Sequence, residues 1–124
     1  MKLRDDFFRI LAAQTCQDQI EYSIRLDSGH SIYRDHFPGN PVTPGVCIIQ
    51  TVKELSEENL NRALFLHRIA RVRYFKAINP VDNEIINVSL NISEKDGYYN
   101  VNARVFADET VFAQLSMIFG SVSV

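Results

Sequence analysis

Ten consecutive residues, His36-Phe37-Pro38-Gly39-Asn40-Pro41-Val42-Thr43-Pro44-Gly45, join one imidazole to three prolines and two glycines. Proline rings fix φ, so such a stretch is stiff and loses little entropy when it orders. An apolar run, Val46-Cys47-Ile48-Ile49, follows directly. If that run begins a helix, its first N–H groups have no carbonyl partners within the helix and carry a partial positive charge. The pairing defines a chemistry. Open amides stabilise an oxyanion, and a neutral imidazole titrating near neutrality moves a proton. A thioester would use both, because its carbonyl needs polarising while a proton leaves the adjacent carbon.

The elements that must position this stretch can be read from periodicity. Pro44 is tolerated in a first helical turn, and the segment after it starts apolar on all sides and finishes charged, which predicts a helix over residues 44–58 with a buried front and a wet far end. Alternation of Ile20, Tyr22, Ile24 and Leu26 with polar residues predicts a half-buried strand, closed by the turn Asp27-Ser28-Gly29. Phe7, Phe8, Ile10, Leu11 and Gln14, with acids ahead of them, match helical spacing and predict a short amphipathic N-terminal helix. Strand patterns cover residues 64–74, 85–92, 98–106 and 110–119. Lys95-Asp96-Gly97 and Asp108-Glu109 supply turns between the last three. A buried helix followed by a long antiparallel meander implies an α+β domain whose sheet curls around the helix.

Composition narrows the classes. The 124 residues fit one domain, 1–124, with 46% hydrophobic and 23% charged residues, which excludes disordered and low-complexity classes. Thirteen Lys and Arg against fifteen Asp and Glu leave a net charge of −2, a poor balance for holding nucleic acid. Cys16 and Cys47 are too few for a disulfide framework, and neither His30 nor His67 has ligand spacing to a carboxylate or thiol, so no metal is expected. Asp5 and Asp6 interrupt any leader-like run after Lys2 and Arg4, and no apolar stretch approaches the roughly 20 residues of a membrane span. A cytoplasmic protein with no membrane contact is expected. Arg62, Arg68, Arg71, Arg73 and Lys76 stand out against the acidic balance, and Arg71 and Arg73 would share one strand face.

The proline-glycine stretch resembles the motif of the bacterial 3-hydroxyacyl-ACP dehydratases of FabZ and FabA type. That motif reads H-F-x-G-x-P-x-x-P-G, then four mostly apolar residues, an acid, and a Gln one helical turn later. The chain matches at His36, Phe37, Gly39, Pro41, Pro44 and Gly45, and Pro38 and Val42 suit FabZ-type members. A weaker match lies over Tyr74 to Asp82, where Pro80 and Asp82 agree, Val81 stands for a usual Gly and Ala77 for a usual Pro. One departure concerns chemistry: Gln50 occupies the position of the acid, and Glu54 that of the Gln. Residues four apart share a helix face about 6 Å apart along the axis, so the two groups look exchanged.

The resemblance implies the hotdog fold, a curved antiparallel sheet wrapped around a long helix, assembled as a homodimer or higher oligomer. It implies His36 as acid/base, with Gln50 and Glu54 as the helix groups of the site. The N–H groups of Gly45 and Val46 would bind the thioester oxygen, the Val42 carbonyl would orient the imidazole, and Phe37 and Gly39 would line the substrate path. The implied reaction removes water from a 3-hydroxyacyl thioester carried by an acyl carrier protein in acyl-chain biosynthesis, with no cofactor beyond the carrier's own arm. Gln50 cannot release a proton near neutral pH. Two alternatives therefore stand beside dehydration: a weak or inactive relative that binds acyl-carrier protein or an active paralogue, and a hotdog thioesterase.

Overall fold

The computed structural model describes residues 1–35 and 39–122. Strands β1 (Phe8–Cys16) and β2 (Gln19–Leu26) form a hairpin. A five-residue helix α1 (Ser31–Asp35) precedes the proline-glycine stretch, and α2 (Gly45–Leu60) follows it. Strands β3 (Leu64–Tyr74), β4 (Ile85–Lys95), β5 (Tyr98–Ala107) and β6 (Thr110–Ser121) complete the chain. All six strands join one antiparallel sheet in the order β1-β2-β4-β5-β6-β3. Only β4, β5 and β6 form the expected meander. β3 crosses to the far side and pairs with β6, so β1 and β3 are the edges.

The N-terminal expectation of a helix is wrong, and the reason is local. A bulge between Ile10 and Ala12 shifts the register of β1, so the apolar side chains lose their period of two and imitate helical spacing. Phe7 and Phe8 are buried nonetheless. Asp5 adopts a left-handed conformation, φ 65°, in a turn that folds the chain back so that Phe7 N–H donates to the Leu3 carbonyl.

Helix α2 matches its expected start to within one residue. Pro44 caps it with extended dihedrals and no side-chain hydrogen bond, and Asn61 ends it in a left-handed conformation. Its buried face carries Cys47, Ile48, Thr51, Val52 and Leu55, and Ile48, Thr51 and Val52 face Ile24, Ile86, Val88 and Val105 across one small cavity. Thr51 and Ser56 turn their hydroxyls back onto the carbonyls of Cys47 and Val52, so neither buried oxygen lacks a partner. The cavity left between α2 and the sheet measures about 10 Å³, too little for an acyl chain. Phe112, Phe119 and Tyr99 are therefore core residues, whereas Phe65, Tyr74, Phe75 and Tyr98 are exposed.

Candidate active site

The start of α2 is built from three segments. Thr43, just ahead of Pro44, donates its N–H to the carbonyl of Ile78 and shares a buried hydrogen bond of 2.9 Å with the Tyr33 hydroxyl of α1. Tyr33 in turn stacks on Phe7, ring centroids 5.3 Å apart. Burial pushes the Tyr33 phenol well above its usual range, so it stays protonated as a hydrogen-bonding group. These contacts pin the polypeptide on both sides of the proline-glycine stretch. His36 and Phe37, the expected acid/base and one substrate contact, lie outside the described residues.

Tyr74, at the end of β3, braces the helix start. Its hydroxyl donates to the Gly45 carbonyl at 3.0 Å, and a Cβ on Gly45 would meet that hydroxyl oxygen at 2.7 Å. A larger residue there would displace the Tyr74 ring. The sequence carried a signal for Tyr74, since it begins the segment of the weaker motif match, but no signal that it reaches back across the fold. Gly45 and Val46 supply the first N–H groups of α2, and neither has an acceptor among the described residues; the helix's own bonds begin with Cys47 and Ile48 to the Pro44 carbonyl. Beside them lies an open groove of about 310 Å³, lined by Val42, Gly45, Ile48, Tyr74, Phe75 and Ile78. Free amides next to an apolar groove can hold a carbonyl oxygen while a chain lies alongside.

Gln50 and Glu54 face elsewhere. The Glu54 carboxylate is buried at 8% exposure, although the helix end beyond it is wet at Glu58 and Asn59. Oε1 accepts from the N–H groups of Leu3 and Arg4 at 3.0 and 2.7 Å, and Oε2 from Leu3 N–H and the Gln50 amide, both at 2.8 Å. Gln50 also donates to the Met1 carbonyl at 2.8 Å. The exchanged pair thus fastens the N-terminal segment to α2. Gln50 is five residues beyond Gly45, about 7.5 Å along the helix. Within one chain it does not share the groove at Gly45 and Val46. Cys47 is buried and its thiol is pushed up by desolvation, which suits core filler rather than a nucleophile. Among the described residues no group of His, Cys, Asp and Glu could hold a metal ion, and no helix is long and apolar enough to cross a membrane.

Residues 12–115 match the sequence profile of the ApeI-like family, described as ApeI dehydratase. The chain belongs to this family. Among curated relatives, the 3-hydroxyacyl-[acyl-carrier-protein] dehydratase FabZ of Geobacillus thermodenitrificans is 30% identical over 101 residues, covering 71% of this chain and 70% of that one. FabZ of Caldicellulosiruptor bescii is 31% identical over 94 residues, 70% of this chain, and the match spans 66% of that protein's length. The family is thus of FabZ type. Its hotdog fold recurs in solved structures of much lower identity. The dehydratase heterocomplex ApeI:P from Xenorhabdus doucetiae superposes with a TM-score of 0.72 at 18% identity, covering 90% of this chain and 96% of that one. A hypothetical thioesterase with coenzyme A from Streptococcus pneumoniae TIGR4 superposes at 0.65 with 7% identity, covering 94% and 86%. The ApeI-like chain carries an amide, Gln50, where the FabZ-type motif has the acid.

Proposed function

We propose that this ApeI-like protein dehydrates 3-hydroxyacyl thioesters presented by an acyl carrier protein in the cytoplasm. The observation that carries the reading is the apolar groove opening on the Gly45 and Val46 amides at the end of the His36 motif. In the reaction the imidazole of His36 takes the α-proton while the thioester oxygen accepts from Gly45 and Val46. The C–O bond at the β-carbon then breaks. Because Gln50 has no proton to give, the imidazolium of His36 returns its proton to the departing hydroxyl, giving water and a trans-2-enoyl thioester, and the Gln50 carbonyl of a second copy of the chain serves to orient that hydroxyl. Val42 and Gly39 flank the substrate path. No cofactor is required beyond the carrier's arm.

The groove and the Gln50 side chain are separate within one chain, which supports assembly of the site from two. The β3 edge is suited to that role, with Phe65, Leu66, Ile69 and Tyr74 between 39% and 50% exposed along a strand whose outer edge has no partner among the described residues. Pairing there, in a homodimer or larger oligomer, would cover that apolar surface and the open backbone groups. A second reading is favoured by Gln50 and by the engagement of Glu54 with Leu3 and Arg4: the partner is a related chain whose helix brings the missing carboxylate.

A spectrophotometric assay of crotonyl-thioester hydration decides among these readings. Activity in the wild type that is lost in His36→Ala and kept in Glu54→Gln supports dehydration by this chain alone. Turnover only in Gln50→Glu, or only after mixing with a carboxylate-bearing relative, supports the partnered reading. Release of free thiol without hydration identifies a thioesterase.

A further inference from the structure

We propose that the outer face of the sheet carries a second binding site, for a small phosphorylated molecule. The register across five strands sets side chains in rows on the face away from α2. Gln19 lies opposite Asn91, Asn91 opposite Asn102, Asn102 opposite Ser116, and Ser116 opposite Arg71. In the next row Glu21 lies opposite Ser89, Ser89 opposite Arg104, Arg104 opposite Gln114 and Gln114 opposite Arg73, with Glu21 at the β2 end of the row and outside the groove lining. Together the rows enclose a groove of about 320 Å³. The β3 bulge between Ile69 and Arg71 matters here. It shifts the register so that Arg68, Arg71 and Arg73 all pair with outward-facing positions of β6, although Arg68 and Arg71 are an odd number of residues apart.

Every charged side chain lining the groove is a guanidinium. Neither Arg71 nor Arg104 pairs with a carboxylate among the described residues, where the ion pairs involve Arg4, Arg25 and His30. Arg104 is held over the Phe106 ring, 4.5 Å from its centroid, so its fork is partly preorganised. Ser116 donates to Asn102 Oδ1 at 2.6 Å, which leaves the Asn102 amide hydrogens free to donate. Two permanent cations, several amide donors and the Ser89 hydroxyl form a set that matches the oxygens of a phosphate ester. A chain of net charge −2 has gathered them on one face. The Phe106 ring is already covered by Arg104, so it offers no bare face to a stacked base, which favours a small phosphate ester over a single-stranded nucleic acid. An occupant would sit across the sheet from Gly45 and would not compete with a thioester. Nor would edge pairing at β3 cover it, because that uses the strand's backbone edge.

The test is isothermal titration at low salt with adenosine 3′,5′-bisphosphate and, separately, inorganic phosphate, which distinguishes nucleotide-borne from free phosphate. Saturable binding of either probe is expected, weakened about tenfold or more in Arg104→Gln and in Arg71→Gln. Shifts in the NMR signals of the Asn91 and Asn102 side-chain amides should accompany it. Arg25→Gln, outside the groove, should bind as the wild type does. Arg71→Gln, on the exposed edge strand, keeps the test open if Arg104→Gln does not fold. No saturable binding of either probe below about 5 mM, where an affinity is already weaker than roughly 3 kcal/mol, overturns the proposal. So does equal weakening by Arg25→Gln, and so does arginine-dependent binding of a short RNA without response to either probe.

Discussion

Replacing Glu54 with alanine should unfasten the N-terminal segment. The carboxylate accepts from Leu3 and Arg4 N–H and from the Gln50 amide, and its removal leaves the Leu3 donor without a partner beside a side chain 2% exposed. Hydrogen bonds to a charged acceptor contribute roughly 1.5–3 kcal/mol each, and a buried donor left unsatisfied costs roughly 1–3 kcal/mol. Arg4 is only half-buried, so water recovers part of its loss. The net cost for Glu54→Ala is therefore about 2–4 kcal/mol, which in a domain of this size lowers Tm by roughly 8–16 °C. Glu54→Gln keeps one carbonyl acceptor and should lose about half as much. Thermal unfolding measures the loss, and amide hydrogen exchange locates it at Leu3 and Arg4. A Tm for Glu54→Ala within about 2 °C of wild type would refute the reasoning. A Glu54→Gln protein of unchanged Tm but no hydration activity would instead make Glu54 a participant in the chemistry.

Gly45→Ala places a methyl 2.7 Å from the Tyr74 hydroxyl oxygen, so it should destabilise by about 1–3 kcal/mol and reduce hydration of crotonyl thioesters; Tyr74→Phe in the same chain should restore part of both, read by Tm and initial rate. Tyr33 has a folded-state pKa raised by burial, so its contribution is present below the unfolded value near 10 and is lost as pH rises above it. The denaturation midpoint should therefore fall above about pH 10, less steeply in Tyr33→Phe, and parallel profiles for the two proteins would count against this. With a chromogenic disulfide reagent, exposed Cys16 should react within minutes and buried Cys47, its thiol pushed up, only on unfolding, so two fast equivalents in the native protein would contradict the burial of Cys47.

Much of this protein was legible without coordinates. The motif around His36 indicated the family, because a rigid proline-glycine bend ahead of an apolar helix is a local pattern with a local cause. The span of α2 and the three strands of the meander followed from periods of 3.6 and 2, which need no knowledge of distant partners. What failed was whatever depended on register or on contacts far along the chain. The bulge at Ile10 disguised β1 as a helix, and the bulge in β3 between Ile69 and Arg71 hid that Arg68 joins Arg71 and Arg73 on one face. The path of β3 to pair with β6 left no mark in its own residues. Glu54 read as a helix group of the site, standing where the motif has Gln; only folding brought Leu3 and Arg4, some fifty residues away in sequence, onto its oxygens. Periodicity reports what a segment prefers by itself, whereas the burial of a carboxylate or the brace of Tyr74 on Gly45 is settled by which segments meet, and that is a property of the packed chain alone.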